Sequence, residues 1–233
     1  MRKEEAQKIA AETRNTYNTV ARKFSDSRAK FWDELAFLVE HVERDDHVLD
    51  IGCGNGRLFP LVTKRHAAYT GIDYSEGLIQ EAKRLHPHIP EGTFLVGDAT
   101  ALPLPDDAFD IAYSFAVIHH IPSKELRAEF VREAARVLHP GGLFVLTAWE
   151  LWTPRHFIQL LLNAYKSMLR TTPLDIGDLM LTFGKDKAPR YLHAFTEREI
   201  STLLTKNGFA VIDVAHIARP SGEKNIVVVA RKR

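Results

Sequence analysis

The sequence is short of cysteine: Cys53 is the single one among 233 residues. One thiol excludes an internal disulfide and any zinc site built from several cysteines, and a reducing cytoplasm is the expected home of such a chain. Long hydrophobic runs are missing too. No apolar stretch approaches the ~20 residues of a membrane span, and the opening "MRKEEAQKIAAETR" is too charged for a signal peptide, so no membrane partner is expected. Neither sign of charge dominates, because 31 Lys and Arg stand against 30 Asp and Glu, a formal net charge of +1. That balance argues against a surface coated in basic residues but is compatible with a local patch for nucleic acid. Repeats and low-complexity segments are absent as well. What is present, 45% hydrophobic and 26% charged residues, is the composition of an ordinary globular protein, and the length suits one domain with appendages.

Hydrophobic periodicity divides this single domain into four stretches. Residues 1–43 read as a helical lid: Ile9, Ala10, Tyr17, Val20, Ala21 and Phe24 fall at amphipathic helix spacing. A second helix is expected through "RAKFWDELAFLVEHV", capped by Asp26 or Ser27. Over residues 44–150 strands alternate with helices. "HVLDIG", "AAYTGID", "GTFLVGDA", "FDIAYSFAVIHH" and "GGLFVLTAWE" read as strands, and "GRLFPLVTKR", "YSEGLIQEAKRL" and "SKELRAEFVREAARVL" as helices. That alternation implies an α/β fold with a parallel sheet covered on both faces. Residues 151–195 break the rhythm with a helix and an irregular, hairpin-containing insert on the substrate side. Residues 196–233 resume with a helix capped by Thr196, with Glu199 three residues on and Gly208 as its stop. Two strands joined by "PSGE" then close the chain as an antiparallel hairpin.

The stretch "HVLDIGCGNGRLFPLV" carries the strongest chemical signal. A glycine turn between a strand and a helix lets a nucleotide-like ligand approach bare backbone at the carboxyl edge of a parallel sheet. Gly52, Gly54 and Gly56 alternate as Gly-x-Gly-x-Gly, unlike the Gly-x-Gly-x-x-Gly of dinucleotide sites, and Asp50 precedes them. A carboxylate there disfavours a pyrophosphate and suits a cationic or zwitterionic ligand. Asp73 ends the second strand, where an acid receives ribose hydroxyls, and Asp98 ends the third, within reach of an adenine amino group. Any one such aspartate is ordinarily a turn former or helix cap. Three at successive strand ends outline a site for an adenosine with a positively charged tail, a description that S-adenosylmethionine fits.

"VLDIGCGNG", "GIDYS", "GDATALPLPDDAFD" and "EAARVLHPGG" resemble, in order and spacing, the motifs of class I S-adenosylmethionine-dependent methyltransferases over about residues 47–149. The resemblance implies a Rossmann-like, seven-stranded, mostly parallel sheet whose last strand is antiparallel. It implies that Asp50, Gly52 and Gly54 surround the methionine moiety, that Asp73 takes the ribose, and that Asp98 and Ala99 flank the adenine. Phe115 is implied beside the reactive sulfonium.

The acceptor site is built from grafted pieces in such folds. "TYNTVARKFSDSRAKFW", "AVIHHIPSKELR" and "RYLHAFTEREI" together resemble the tRNA methyltransferases that esterify 5-carboxymethyluridine at the wobble position. Residues 152–189 match that subfamily poorly, and the lysine-rich insert of its eukaryotic members is missing. By this resemblance Arg28, His120 and Arg190 serve catalysis, while Tyr17, Tyr191 and His193 line the pocket for the modified base. The implied partners are tRNA and the small zinc-binding activator protein on which those members rely. Each piece also has a duller explanation: the aromatics pack a lid, and one of His119 and His120 only packs or caps. Adjacent histidines point different ways, so no zinc site is expected there. A carboxylate acceptor is already an anion at neutral pH and needs a guanidinium fork rather than a base. A phenol or amine acceptor would move His119 or His120 to the centre. Candidate phosphate contacts are Arg22, Lys23, Lys30, Arg155, Lys166, Arg170, Lys185, Lys187, Arg190 and the tail Arg231, Lys232 and Arg233. Two rivals remain: a small-molecule O-methyltransferase for a quinone, phenol or carboxylic acid, and a non-catalytic scaffold that retains the fold.

Overall fold

The computed structural model describes residues 1–28, 30–90, 93–183 and 188–233. Helix α1 (Lys3–Asp26) is a long amphipathic helix that buries Ala6, Ile9, Tyr17, Val20 and Ala21 on one face. The expected second helix is a 3-10 segment, Asp33–His41, which starts after extended Trp32 with no side-chain cap. Asp26 and Ser27 do not cap it, because Asp26 ends α1 and Ser27 is the C-cap of α1. Only α1 is lid-like. Leu35, Leu38 and Val39 of the 3-10 segment sit in the core beneath the sheet.

Strand β1 (His47–Ile51) leads to the short helix α2 (Phe59–Thr63), where Pro60 occupies the first turn that tolerates its missing N–H. Strand β2 (Ala68–Asp73) is followed by α3 (Glu76–Leu85), capped by the Ser75 hydroxyl accepting from the Leu78 amide. Strands β3 (Phe94–Val96) and β4 (Phe109–Phe115) come next. The expected β4 is shorter than "FDIAYSFAVIHH", because Ala116 turns to φ +59° and Ile118–His120 winds into a 3-10 turn. Helix α4 (Lys124–Val137) is capped by Ser123, and β5 (Leu138–Trp149) follows it. The insert comprises α5 (Pro154–Met168) and the antiparallel hairpin of β6 (Asp178–Phe183) and β7 (Ala188–His193). Helix α6 (Glu197–Lys206) precedes β8 (Phe209–Ala218) and β9 (Lys224–Lys232).

The seven-stranded sheet has the order β3-β2-β1-β4-β5-β9-β8. Strands β1 to β5 pair in parallel, and β9 runs antiparallel to both its neighbours. The last strand of the chain is thus inserted one place inside the edge. Its sequence explains why. Ile226 to Ala230 is a continuous apolar run, buried on both faces, as an interior strand requires. Each Val or Ile there stabilises the sheet by roughly 1.5–3 kcal/mol. Strand β8 alternates and carries Asp213 and His216 with a bulge between Val211 and Asp213, the features of an edge that resists further pairing. One sheet face packs on Phe130, Val131 and Ala134 of α4 with Ile200 and Leu204 of α6. The other packs on the 3-10 segment with Ile79 and Ala82 of α3. The architecture is the expected α/β, Rossmann-like sheet with helices on both faces. Among the described residues no helix is long and apolar enough to cross a membrane.

Candidate active site

The carboxyl ends of β1 to β5 open into one cavity of about 560 Å3, roofed by α1 and flanked by β7. This is where open α/β sheets bind ligands. Helix α1 is tied to both sides. Asn18 Oδ1 accepts from the Ser75 hydroxyl at 2.7 Å and the Gly77 amide at 3.2 Å, and Thr16 Oγ1 donates to the Pro189 carbonyl at 2.8 Å. The roof therefore joins the first half of the sheet to the inserted hairpin.

Gly52 and Gly54 form the cavity floor, with φ of +77° and +57°. A Cβ on Gly52 would lie 2.3 Å from Val117, so the turn needs glycine for space as well as for backbone conformation. Asp73, at the end of β2, accepts from the Gly54 amide at 2.9 Å and from the Ser75 amide at 2.8 Å. Burial pushes its carboxyl up to about 6 against those two hydrogen bonds. Asp98 and Ala99 line the cavity next to Gly97, and Asp98 Oδ1 accepts from the amide and hydroxyl of Thr100. Phe115 lines it from the end of β4, edge-on to Phe31 at 5.0 Å.

Asp50 lies behind the floor rather than in it. It is buried, accepts from the Tyr69 hydroxyl at 2.7 Å, and its carboxyl is raised to about 7 by burial, against the Tyr69 hydrogen bond and the pull of Arg57. Its contact with a ligand is therefore through the turn it supports. Asn55 extends the same scaffold: its Nδ2 donates to the Arg28 carbonyl at 3.1 Å and the Ser25 hydroxyl at 3.3 Å, pinning the end of α1 to the glycine turn.

The acceptor end gathers Tyr17, Arg28, His120 and Arg190. Nδ1 of His120 faces the Tyr191 carbonyl at 3.0 Å. A carbonyl only accepts, so Nδ1 carries the proton and Nε2 presents its lone pair to the Tyr17 hydroxyl at 3.0 Å. Burial, reinforced by Arg190, drives the imidazole down to about 3, leaving it neutral. Arg190 hydrogen-bonds the Tyr17 phenol and stacks 4.8 Å from the Trp149 ring. Arg28 lies 4.3 Å from the Phe24 ring and donates to the Ser27 hydroxyl, its guanidinium pKa lowered by burial.

Tyr191 and His193 do not line the cavity. Alternation along β7 turns Arg190 toward it and sends Tyr191 and His193 to the opposite face. There the Tyr191 hydroxyl donates to Asp178 at 2.5 Å and accepts from buried Arg127 at 3.2 Å. The His193 nitrogens lie 2.7 Å from Asp178 and 2.9 Å from Glu199. The Glu199 carboxylate goes to His193, while the Thr196 hydroxyl accepts from the Glu199 amide, so half of the anticipated capping box forms. Tyr191 serves the site through its carbonyl, which fixes His120. His119 is fully buried, its Nδ1 accepting from the Trp149 amide at 3.3 Å, and it packs against Trp149.

Arg57 was not anticipated. It enters the cavity beside the glycine turn with its guanidinium 3.4 Å from the Trp32 ring centroid, and burial and neighbouring Arg28 push it down to about 9. A third guanidinium in the site had one sequence signal: a cation immediately after the third glycine. Lys3 and Arg14 add positive charge along α1. The expected phosphate-contacting tail points elsewhere: Arg231 donates to the Gly141 carbonyl and Lys232 to Asp107, at the amino end of the sheet. Arg22 pairs with Asp26 and Glu81. Lys185 and Lys187 lie outside the described residues.

These features define a nucleoside-binding α/β enzyme, and comparison with known proteins agrees. The family described as "Methyltransferase domain" matches residues 49–146. A protein of Encephalitozoon cuniculi that carries the name of a methyltransferase is 32% identical over 201 residues, covering 84% of this chain and 86% of that one. The tRNA (carboxymethyluridine(34)-5-O)-methyltransferase of Saccharomyces cerevisiae is 32% identical over 146 residues, 63% of this chain and 50% of its own length. This chain thus spans half of the yeast protein. A SAM-dependent methyltransferase structure from Methanosarcina mazei superposes with a TM-score of 0.70 at 24% identity, over 87% of this chain and 98% of that one. A Haloferax volcanii methyltransferase, solved in complex with a methyltransferase activator, has a TM-score of 0.68 at 17% identity, covering 94% of this chain and 97% of its own. The chain belongs to the methyltransferase family and is an S-adenosylmethionine-dependent enzyme.

Proposed function

We propose that the protein esterifies the carboxylate of 5-carboxymethyluridine at the tRNA wobble position. The observation that carries this reading is the acceptor end itself. Its histidine is a neutral, very weak base whose one lone pair is engaged by Tyr17, while Arg190 and Arg28 supply positive charge. That constellation suits an acceptor that arrives already ionised. Support comes from the relatives in Saccharomyces cerevisiae and Arabidopsis thaliana that carry this activity in their names, each 32% identical over the matched part.

The cofactor fits the residues present. Bare backbone at Gly52 and Gly54 admits close approach, Asp73 suits ribose hydroxyls, and Asp98 with Ala99 borders the adenine position. Arg57 suits the carboxylate of the amino-acid end. When bound, S-adenosylmethionine supplies an electrophilic methyl group on a sulfonium. The work of the chain is alignment. Arg190 orients the acceptor carboxylate through its planar fork, while the Tyr17 hydroxyl, its one proton given to His120, accepts from Arg190 and steadies that guanidinium. The acceptor oxygen keeps its charge until it bonds carbon, so no proton moves through His120. Lys3 and Arg14 on α1 extend positive charge toward the mouth, where an anticodon backbone would pass. A small activator protein of the kind bound by the Haloferax volcanii neighbour completes the proposed assembly.

Mass spectrometry of wobble nucleosides from a deletion strain tests the reading. The methyl ester is expected to give way to free 5-carboxymethyluridine, restored by the wild-type chain and not by Arg190→Ala. Unchanged wobble nucleosides would remove the tRNA assignment and favour a small-molecule acceptor.

A further inference from the structure

Helix α4 buries Leu126, Arg127, Phe130, Val131, Ala134 and Val137. An amphipathic helix fills its inner face with apolar side chains, and at five of these six positions α4 does so. Arg127 is the exception, a guanidinium only 1% exposed. Taking a cation out of water is costly, and an apolar side chain of similar volume often serves a buried position as well or better. The group is also incompletely paired, because Nη2 has no hydrogen-bond partner among the described residues. Stability alone is therefore a poor reason for an arginine here.

The contacts of Nη1 give a better one. It donates to the Ile121 carbonyl and to the Tyr191 hydroxyl, each at 3.2 Å. Ile121 follows His120 in the chain, and Tyr191 follows Arg190. One nitrogen with two protons thus ties the 3-10 turn after β4 to strand β7, and it does so from outside the cavity, which Arg127 does not line. The frame closes where Nδ1 of His120 donates to the Tyr191 carbonyl at 3.0 Å. Asp178 sets the direction of the link. Its buried carboxylate takes the only proton of the Tyr191 phenol at 2.5 Å, so the phenol can offer Arg127 nothing but a lone pair. That carboxylate is held in turn, with Oδ1 2.7 Å from His193 and Oδ2 accepting from the Asp175 amide at 2.8 Å. We propose that Arg127 is a positioning residue for methyl transfer, fixing the placement of His120 relative to Arg190. The proposal rests on the acceptor end assigned above and holds for any acceptor seated there.

Nitrogen NMR of the imidazoles in the substrate-free full chain, with single-turnover transfer to tRNA bearing 5-carboxymethyluridine, tests it. Arg127→Met completes the apolar face of α4, and Tyr191→Phe keeps the ring while removing the link, so at least one folded variant is in hand. In the wild type His120 is expected as the Nδ1–H tautomer. In both variants the Nε2–H tautomer is expected to appear beside it. Transfer at saturating tRNA and cofactor should fall about tenfold, with affinity for S-adenosylhomocysteine within about twofold of wild type. Arg127→Lys, which can still donate to both oxygens, should recover the rate to within about threefold. A variant whose His120 tautomer and transfer rate match the wild type overturns the proposal, however much stability it has lost. A wild type that transfers nothing to this tRNA removes the tRNA reading alone, and the His120 spectrum of the variants then decides the role of Arg127.

Discussion

The Tyr17 hydroxyl donates to Nε2 of His120 across 3.0 Å, joining the roof helix α1 to the turn that follows β4. Because the Tyr191 carbonyl holds the other ring nitrogen, the imidazole has no freedom to turn toward an acceptor. Tyr17→Phe removes the hydroxyl that ties His120 to Arg190 and is expected to lower kcat about tenfold, the rate equivalent of ~1.4 kcal/mol. His120→Ala strands both the phenol and the carbonyl and is expected to cost more, on the order of a hundredfold. Single-turnover methyl transfer measures both. Cofactor affinity, read by calorimetry, should stay within about twofold in each. An unaltered rate in Tyr17→Phe would mean that the pair only braces the fold.

The pH profile follows from the same geometry. With a carboxylate acceptor of pKa near ~4 and a histidine at about 3, kcat at saturating cofactor is expected to be flat from about pH 6 to pH 9. The cofactor KM should behave differently. Asp73 is raised to about 6 by burial, so below that pH it protonates and its charged oxygens are lost to the ribose and to the Gly54 amide. KM for S-adenosylmethionine is expected to climb on the acid side of about pH 6. A kcat that rises tenfold per pH unit through neutrality would indicate a phenol or amine acceptor and a working base.

Arg57 and Arg190 both line the cavity, and the proposed function gives each its own anion. Arg57→Ala is expected to weaken S-adenosylhomocysteine binding about 10- to 100-fold, the worth of one charge-assisted hydrogen bond of ~1.5–3 kcal/mol. Arg190→Ala is expected to leave that affinity near normal while methyl transfer to tRNA falls by at least as much. Calorimetry alongside transfer kinetics separates the two. Equal losses of cofactor affinity in both variants would erase the division.

The sheet was legible because strand and helix periods alternate cleanly from His47 to Trp149. The inward place of β9 was not legible, although its unbroken apolar run fits it, and the insert reads in sequence only as irregular with a hairpin in it. The lining of the cavity was legible where residues sit at strand ends, as at Gly52, Asp73 and Asp98. It failed at β7, where a period of two sends Tyr191 and His193 away from Arg190: a motif quoted as "RYLHAF" carries no statement of which face is inward. It failed again at Arg57, since an arginine read at the start of a helix looks like surface, whereas it lies in the turn ahead of α2 with Trp32 closing over it. Asn18 and Asn55 were invisible for a related reason. Their partners, Ser75 and the Arg28 carbonyl, are distant in sequence.

Asp50 ties stability to pH. In the folded chain its carboxyl titrates at about 7, against an ordinary value of 3.8, because burial penalises the charge more than the Tyr69 hydroxyl and Arg57 relieve it. The folded state therefore binds more protons than the unfolded one between those values, so the stability present below about pH 4 is progressively lost as pH rises through about 7. Asp50→Asn keeps an acceptor for Tyr69 and removes the charge. Urea unfolding of the cofactor-free protein at about pH 5 and about pH 8 should show the wild type losing up to a few kcal/mol relative to the variant at the higher pH. Identical pH slopes in the two proteins would place the titration elsewhere, with Asp73 as the next carboxylate to replace.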